Sequence, residues 1–210
     1  MKITKLEVGV ASANCYIVEN GESAIVIDPG FFEPELDKYV TENEGKIKYI
    51  LLTHRHFDHV CGVSELKRLT DAKVVIHSLD ECGLYSDTDN LSTLCNGLYP
   101  KVDTTFRADI LVSDGFELSV DGMNIKVLHT PGHSKGGVCY LINDVLFSGD
   151  TLFEGTVGRT DFPGSSMIEL KASLKRLVDT LDFETEIYSG HGNKTTLGRE
   201  RAYNPFLMNL

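Results

Sequence analysis

A chain of 210 residues with 41% apolar and 24% charged residues has the composition of an ordinary soluble globule, read as one domain over residues 1–210 with ample core. Its net charge of −11 argues against a nucleic-acid enzyme, whose phosphate contacts need clustered Lys and Arg, and suits a small-molecule substrate. No signal peptide or membrane span is expected, and five cysteines without a Cys-x-x-Cys pair point to a reduced, cytoplasmic protein.

The first third reads as short strands at residues 5–10, 14–18 and 24–27, β-rich runs separated by polar turns. Asp28-Pro29-Gly30 ends the third. Residues 34–40 have helical spacing, with Leu36, Tyr39 and Val40 on one side. A buried strand at 47–52 leads into Thr53-His54-Arg55-His56-Phe57-Asp58-His59. Residues 59–70, with Val60, Val63, Leu66 and Leu69 at spacings of three, form an amphipathic helix packed on a sheet, and 73–77 is another strand. Residues 80–109 are polar, weakly periodic and long for a connection, as functional lids are. Strands resume at 109–112, 116–120, 123–128, 137–142 and 145–148, joined by Asp-Gly and Asn-Asp turns. A helix over 167–181 and a strand over 186–189 follow. Asn14-Cys15-Tyr16-Ile17-Val18 leading to Val26-Ile27-Asp28 is echoed by Val138-Cys139-Tyr140-Leu141-Ile142 leading to Phe147-Ser148-Gly149-Asp150. The echo suggests two similar halves: two stacked sheets with helices outside.

Chemistry concentrates in the run from His54 to His59, three imidazoles and a carboxylate. Neutral imidazole is the commonest metal ligand, and mixed nitrogen and oxygen donors suit zinc, iron(II) or manganese. His54 and His56 alternate by two, so an extended chain points both rings to one side. Asp58 and His59 break the alternation and can face a second point, the pattern of a site for two metals. Three further candidates stand at strand ends: His133 in Thr130-Pro131-Gly132-His133, Asp150 in Gly149-Asp150 and His191 in Gly190-His191-Gly192. A glycine beside each lets the backbone turn sharply and approach a ligand.

Taken in order, Thr-His-x-His-x-Asp-His, Thr-Pro-Gly-His, Gly-Asp and Gly-His-Gly resemble the motif set of the metallo-β-lactamase fold superfamily. Within it the chain is similar to glyoxalase II-type hydrolases, from Asn14-Cys15-Tyr16 to Asn204-Pro205-Phe206. Thr151-Leu152-Phe153, Gly158-Arg159-Thr160-Asp161 and Thr195-Thr196-Leu197-Gly198 resemble its short, single-domain members. The resemblance implies an αββα sandwich of the α/β (α+β) class. It puts His54, His56 and His133 on a first metal, and Asp58, His59 and His191 on a second, with Asp150 bridging and Asp58 also catalytic. It implies two divalent ions, zinc first and iron or manganese as alternatives, and a metal-activated hydroxide attacking a thioester or related small acyl substrate. A thiolate (thiol pKa ~8.5) leaves without the strong general acid an amine needs, and no dedicated acid stands out beyond the ligands.

The secreted β-lactamases carry other residues at the positions of His59 and Asp150, which argues against that activity. Full-length glyoxalase II enzymes continue past the Asn-Pro-Phe region into a basic helical extension that holds glutathione; this chain stops at Leu210, so that anchor is expected to be missing. The rival from another class is a persulfide dioxygenase, with one iron on two histidines and Asp150 and a loop like Gly158-Arg159-Thr160-Asp161-Phe162. A lactonase is the rival within hydrolysis. A non-catalytic binding module predicts lost ligands, and none is lost.

Bland readings stand beside the remaining candidates. For Asp28 the Asp-Pro-Gly turn is explanation enough, the alternative being a hydrogen bond to a ligating histidine. His77 and His129 read as structural, and Cys61 as a small buried apolar residue. Arg159, with Thr160 and Asp161, either anchors a substrate carboxylate or pairs internally. Lys194 either binds an anionic substrate or sits solvated on its loop. Tyr85, Tyr99 and Phe106 either line a pocket or plug the 80–109 segment down.

Overall fold

The computed structural model describes residues 1–208 and 210. Strands β1 (Lys2–Val8), β2 (Ala13–Asn20), β3 (Ser23–Ile27), β4 (Ile47–Leu51), β5 (Lys73–His77) and β6 (Ile110–Val112) form one sheet in chain order. β1 to β3 pair antiparallel and β3 to β6 parallel. The parallel crossovers carry α1 (Pro34–Glu42), α2 (Phe57–Val60) and α3 (Val63–Leu69). The second half supplies β7 (Glu117–Val120), β8 (Met123–His129), β9 (Val138–Ile142), β10 (Val145–Gly149), a small hairpin of β11 (Leu152–Phe153) and β12 (Thr156–Val157), α4 (Met167–Thr180), β13 (Glu186–Ser189), β14 (Thr195–Thr196) and α5 (Leu197–Tyr203). Its main sheet runs β14-β13-β10-β9-β8-β7, with β10 parallel to β13.

Period-two alternation builds the layers. On β2 and β3, Cys15, Ile17, Ala24 and Val26 face α1 and α3, where they meet Leu36, Val40, Val63 and Leu66. Their neighbours Tyr16, Val18, Ile25 and Ile27 point the other way, onto Met123, Ile125, Val127, Tyr140 and Phe147 of the second sheet. The outer face of that sheet, with Cys139, Leu146 and Ile187, is covered by Leu170, Leu174 and Leu177 of α4 and Leu197 of α5. The result is the four-layer αββα sandwich. Among the described residues no helix is long and apolar enough to cross a membrane.

The internal echo is a structural repeat. Tyr16 on β2 donates its hydroxyl to the Ser189 carbonyl at the end of β13 (2.6 Å), and Tyr140 on β9 donates to the Leu52 carbonyl just past β4 (2.9 Å). The backbone repeats the exchange: Asn14 N–H bonds Gly190 O (2.7 Å) and Val138 N–H bonds Thr53 O (2.8 Å). Each antiparallel hairpin thus pins the end of the parallel strand in the opposite sheet. These bonds draw Thr53-His54 and Gly190-His191 together at one rim of the sandwich.

Several elements differ from the sequence expectations. β1 spans Lys2–Val8, because Gly9 (φ +64°) already turns the chain and a Cβ there would lie 2.8 Å from the Tyr99 hydroxyl. The single helix expected over 59–70 is two, broken at Gly62, whose backbone passes so close to Pro29 that a Cβ would lie 2.4 Å from its carbonyl oxygen. α5 and the two-residue strands β11, β12 and β14 carry too few residues to show periodicity. The 80–109 segment folds onto the first sheet with two 3₁₀ turns, Glu81–Leu84 and Ser92–Cys95. Tyr99 plugs it down: the hydroxyl accepts from Ala11 N–H (3.1 Å) and the ring meets Phe31 and Phe57 edge-on. Phe106 packs on the first core, and Tyr85 lies under the Arg107 guanidinium.

Candidate metal centre

Past β4 the chain stays extended as far as His56 (φ −69°, ψ 151°) and then enters α2. His54 and His56 therefore share a side, and the first turn of α2 presents Asp58 and His59 to the adjoining point. His133 follows β8, Asp150 follows β10 and His191 follows β13. The flanking glycines are dictated by crowding. A Cβ on Gly149 (φ +47°) would lie 2.3 Å from Thr53 Oγ1, and one on Gly190 would lie 2.2 Å from Asp150 Oδ1.

All seven candidate ligands converge. His54, His56 and His133 form one trio and Asp58, His59 and His191 another, each with its donor atoms within 4.8 Å of one another. Asp150 lies between them. Its Oδ1 is 3.4 Å from His59 Nε2, and its Oδ2 is 3.4 Å from His133 Nε2 and 3.7 Å from His191 Nε2. Asp58 Oδ2 is 3.2 Å from His191 Nε2.

The partner behind each ring decides which nitrogen faces the centre. His59 Nδ1–H donates to Asp28 Oδ2 (2.9 Å), His133 Nδ1–H to Arg159 O (2.8 Å) and His191 Nδ1–H to Ser12 O (3.3 Å). The Thr53 hydroxyl donates to Asp28 Oδ2 (2.6 Å), so toward His54 Nδ1, 3.1 Å away, it acts as acceptor. In all four rings Nδ1 is engaged behind the ring, so Nε2 is the nitrogen turned toward the centre. His56 is turned the other way, its Nδ1 lying 2.8 Å from His133 Nε2. His54 Nε2, His59 Nε2 and Asp150 Oδ1 are buried without a hydrogen-bond partner. Each buried lone pair left so costs about 1–3 kcal/mol; converging donors of this type fit divalent cations.

Without a cation the two trios differ electrically. Burial, reinforced by the neighbouring imidazoles, pushes His54 and His56 well below the usual histidine range. Burial would also lower His59, but Asp58, Asp150 and Asp28 outweigh it and lift the ring to about 10. His191 is raised too: burial opposes, and Asp58 and Asp150 prevail. For Asp58 the desolvation that would raise it is overcome by His59 and His191, which hold it well below the usual carboxylate range. The second trio therefore holds protons that a bound cation must displace.

Asp28 is more than a turn residue. It adopts φ +51°, is 2% exposed, and accepts from Thr53 N–H as well as from the Thr53 hydroxyl and His59. The expectation that the turn alone explains it is corrected: the carboxylate orients a candidate ligand directly and a second through Thr53. His77 and His129 stack on each other (centroids 4.2 Å apart) outside both trios, and Cys61 is buried with its thiol pushed up to about 12, chiefly by desolvation.

A cavity of about 330 Å³ opens over the trios. Its apolar wall of Phe57, Leu91, Phe153, Val157 and Phe162 follows no sequence period, and sequence reasoning did not find it. Leu91 is the contribution of the 80–109 segment and is held at φ +68°. Arg159 stands at the wall, paired in two bonds with Asp161 (2.8 and 2.7 Å) and lying 4.3 Å over the Phe162 ring. Lys194 is not brought to the cavity and pairs with Glu186 of β13 (2.8 Å).

Residues 8–191 match the family model of the metallo-beta-lactamase superfamily. The hydroxyacylglutathione hydrolase GloC of Haemophilus influenzae is 32% identical over 210 residues, covering 99% of this chain and 98% of its own. Among solved structures, BLEG-1, described as a B3 metallo-beta-lactamase, is similar with a TM-score of 0.90 and 33% identity over 98% of this chain and 99% of its own. TTHA1623, solved in a di-iron-bound form, gives a TM-score of 0.83 and 40% identity over 97% and 100%. On these grounds the chain belongs to the metallo-beta-lactamase superfamily and is glyoxalase II-like within it.

Proposed function

We propose that the protein is a binuclear metallohydrolase of a small acyl thioester. The observation that carries the reading is the make-up of the cavity: its wall is apolar except for the candidate ligands and Arg159. Two divalent cations held there would supply an acidified water as nucleophile and a Lewis acid for the carbonyl oxygen. His54, His56 and His133 would hold one and Asp58, His59 and His191 the other, with the Asp150 carboxylate available between them. Zinc is the first choice, with iron or manganese as alternatives; the di-iron form of TTHA1623 supports iron.

The chain's own residues set which bond is broken. Among the described residues, no Lys, Tyr, Cys or carboxylic acid beyond the candidate ligands lines the cavity, so no dedicated acid stands there for a departing amine. A thiolate, of pKa ~8.5 as the thiol, needs no such donor, which favours a thioester over the amide of a β-lactam. Phe57, Leu91, Phe153, Val157 and Phe162 exclude water and receive the acyl group. Arg159 would exchange Asp161 for an anionic tail on the thiol side. The substrate is a small molecule, and the protein works in the cytoplasm.

The test is the metal content of protein purified without added metal, assayed for S-lactoylglutathione hydrolysis beside persulfide-dependent oxygen uptake. Two metals per chain with thioester turnover are expected. Oxygen uptake with about one iron per chain would replace the hydrolase by the dioxygenase reading.

A further inference from the structure

A second buried carboxylate, Asp80, touches none of the candidate ligands, yet it ties their loops together. It follows β5, as Asp28 follows β3, and β3 and β5 are the two parallel neighbours of β4. The ligand turn leaving β4 is thus flanked by a carboxylate on each side. Asp28 accepts from Thr53 N–H (2.7 Å) and Asp80 from Arg55 N–H (3.1 Å). The residues clamped are 53 and 55; the candidate ligands are 54 and 56.

Asp80 also holds the loop of His133. Its Oδ2 accepts from the Ser134 hydroxyl (2.5 Å) and its Oδ1 from Gly136 N–H (2.8 Å). Asp80 is wholly buried and Ser134 is 1% exposed. The contact is close enough to constrain the sequence around it. A Cβ on Gly136 would lie 2.7 Å from Asp80 N, and one on Gly83, in the turn after Asp80, 2.4 Å from Arg55 O. The Arg55 side chain extends the tie to a third loop, donating to Pro163 O (2.9 Å) next to Phe162, whose ring packs on His56.

We propose that Asp80 is a positioning residue for the first metal: it fixes the spacing between the His54–His56 turn and His133, as Asp28 fixes the orientation of His59 in the second trio. The proposal rests on the metal-holding part of the reading above and not on the substrate. Asp80→Asn keeps the size but cannot keep the bonds. With its oxygen toward Ser134 and Arg55, its NH₂ confronts the Gly136 N–H, and with the amide reversed its NH₂ confronts the Arg55 N–H.

The experiment is a cobalt(II) titration of the metal-free full chain against a competing chelator, read by visible absorption. Asp80→Asn should weaken one of the two equivalents by about 10- to 100-fold, as loss of a partner behind a ligand does, and leave the other unchanged. In a His133→Ala background, where the first trio is already broken, Asp80→Asn should have no further effect on the remaining equivalent. Weakening of both equivalents alike, or of neither, overturns the proposal. Should Asp80→Asn fail to fold, Ser134→Ala removes one donor and leaves the carboxylate; it must weaken the same equivalent, and unchanged binding overturns the proposal. A wild-type chain that takes up no cobalt overturns both this and the metal-centre reading, whereas failure of the thioester assay alone leaves this one standing.

Discussion

Asp28→Asn is the substitution whose consequence can be followed atom by atom. The carboxylate accepts three hydrogen bonds in a site 2% exposed: Thr53 N–H at 2.7 Å, the Thr53 hydroxyl at 2.6 Å and His59 Nδ1–H at 2.9 Å. Asparagine has one acceptor oxygen. If that oxygen stays on Thr53 N–H, the NH₂ faces His59 Nδ1–H, donor against donor. Relief requires His59 to give up its Nδ1 proton and keep one only on Nε2, the atom that faces the centre. If the amide is reversed, Thr53 N–H is left buried and unpaired. Either arrangement leaves one buried donor unsatisfied, about 1–3 kcal/mol of folding stability, or a melting temperature lower by roughly 2–12 °C at this chain length. The metal affinity of the second trio should fall by about 10- to 100-fold, about 1.4–2.8 kcal/mol. Thermal melts of the metal-free variant and a zinc titration read the two effects separately, and imidazole nitrogen shifts of the zinc-loaded protein report the His59 tautomer. A variant that melts with the wild type and binds both equivalents as tightly would refute the reasoning.

Three further outcomes follow from the geometry. In the metal-free protein His59 is raised from 6.5 to about 10; its stabilising contribution is full below 6.5 and is lost as pH rises through about 10, at up to about 1.4 kcal/mol per pH unit. Melts from pH 7 to 10 should show that decline in the wild type and a shallower one in His59→Gln; equal slopes would discount the ring. Tyr140→Phe removes the hydroxyl that reaches across the sandwich to Leu52 O (2.9 Å) and should cost about 1–3 kcal/mol in denaturant unfolding; no loss would mean the carbonyl finds another partner. Leu91 at φ +68° carries strain that Ala retains and Gly relieves, so Leu91→Gly should be the more stable of the two by about 1 kcal/mol, while both raise KM for the acyl substrate. The reverse order of stability would show that the loop adjusts its backbone.

Local chemistry was legible in the chain wherever it followed a short period. The alternation of His54 and His56, the apolar alternation on β2 and β3 and the spacing of Val63 and Leu66 within α3 appear in space as read, whereas Leu69 at the end of α3 is exposed. The repeated Cys-Tyr hairpin was visible as a pattern, and its meaning, Tyr16 on Ser189 and Tyr140 on Leu52, required the two sheets to be stacked. What was not legible depends on partners distant in sequence. Asp28 read as a turn because Thr53 and His59 lie 25 and 31 residues away. Asp80 lay unremarked in an irregular segment because its partners on the far side, Ser134 and Gly136, lie 54 and 56 residues on. The helix break at Gly62 comes from the close passage of Pro29, and α5, capped by the Thr196 hydroxyl on Arg199 N–H, is too short for its spacing to register. The cavity wall collects Phe57, Leu91 and the Phe153–Phe162 run with Val157 from three separate stretches of chain, so no window of sequence contains it.

The central claim is that two trios joined by Asp150 hold two cations that act together on a thioester. Adding zinc stepwise to the metal-free protein while following thioester hydrolysis tests it most directly. The account predicts that turnover climbs until two equivalents are bound, and that His59→Ala or His191→Ala removes one equivalent together with most of the activity. Full turnover at one equivalent, in the wild type or in either variant, would contradict it.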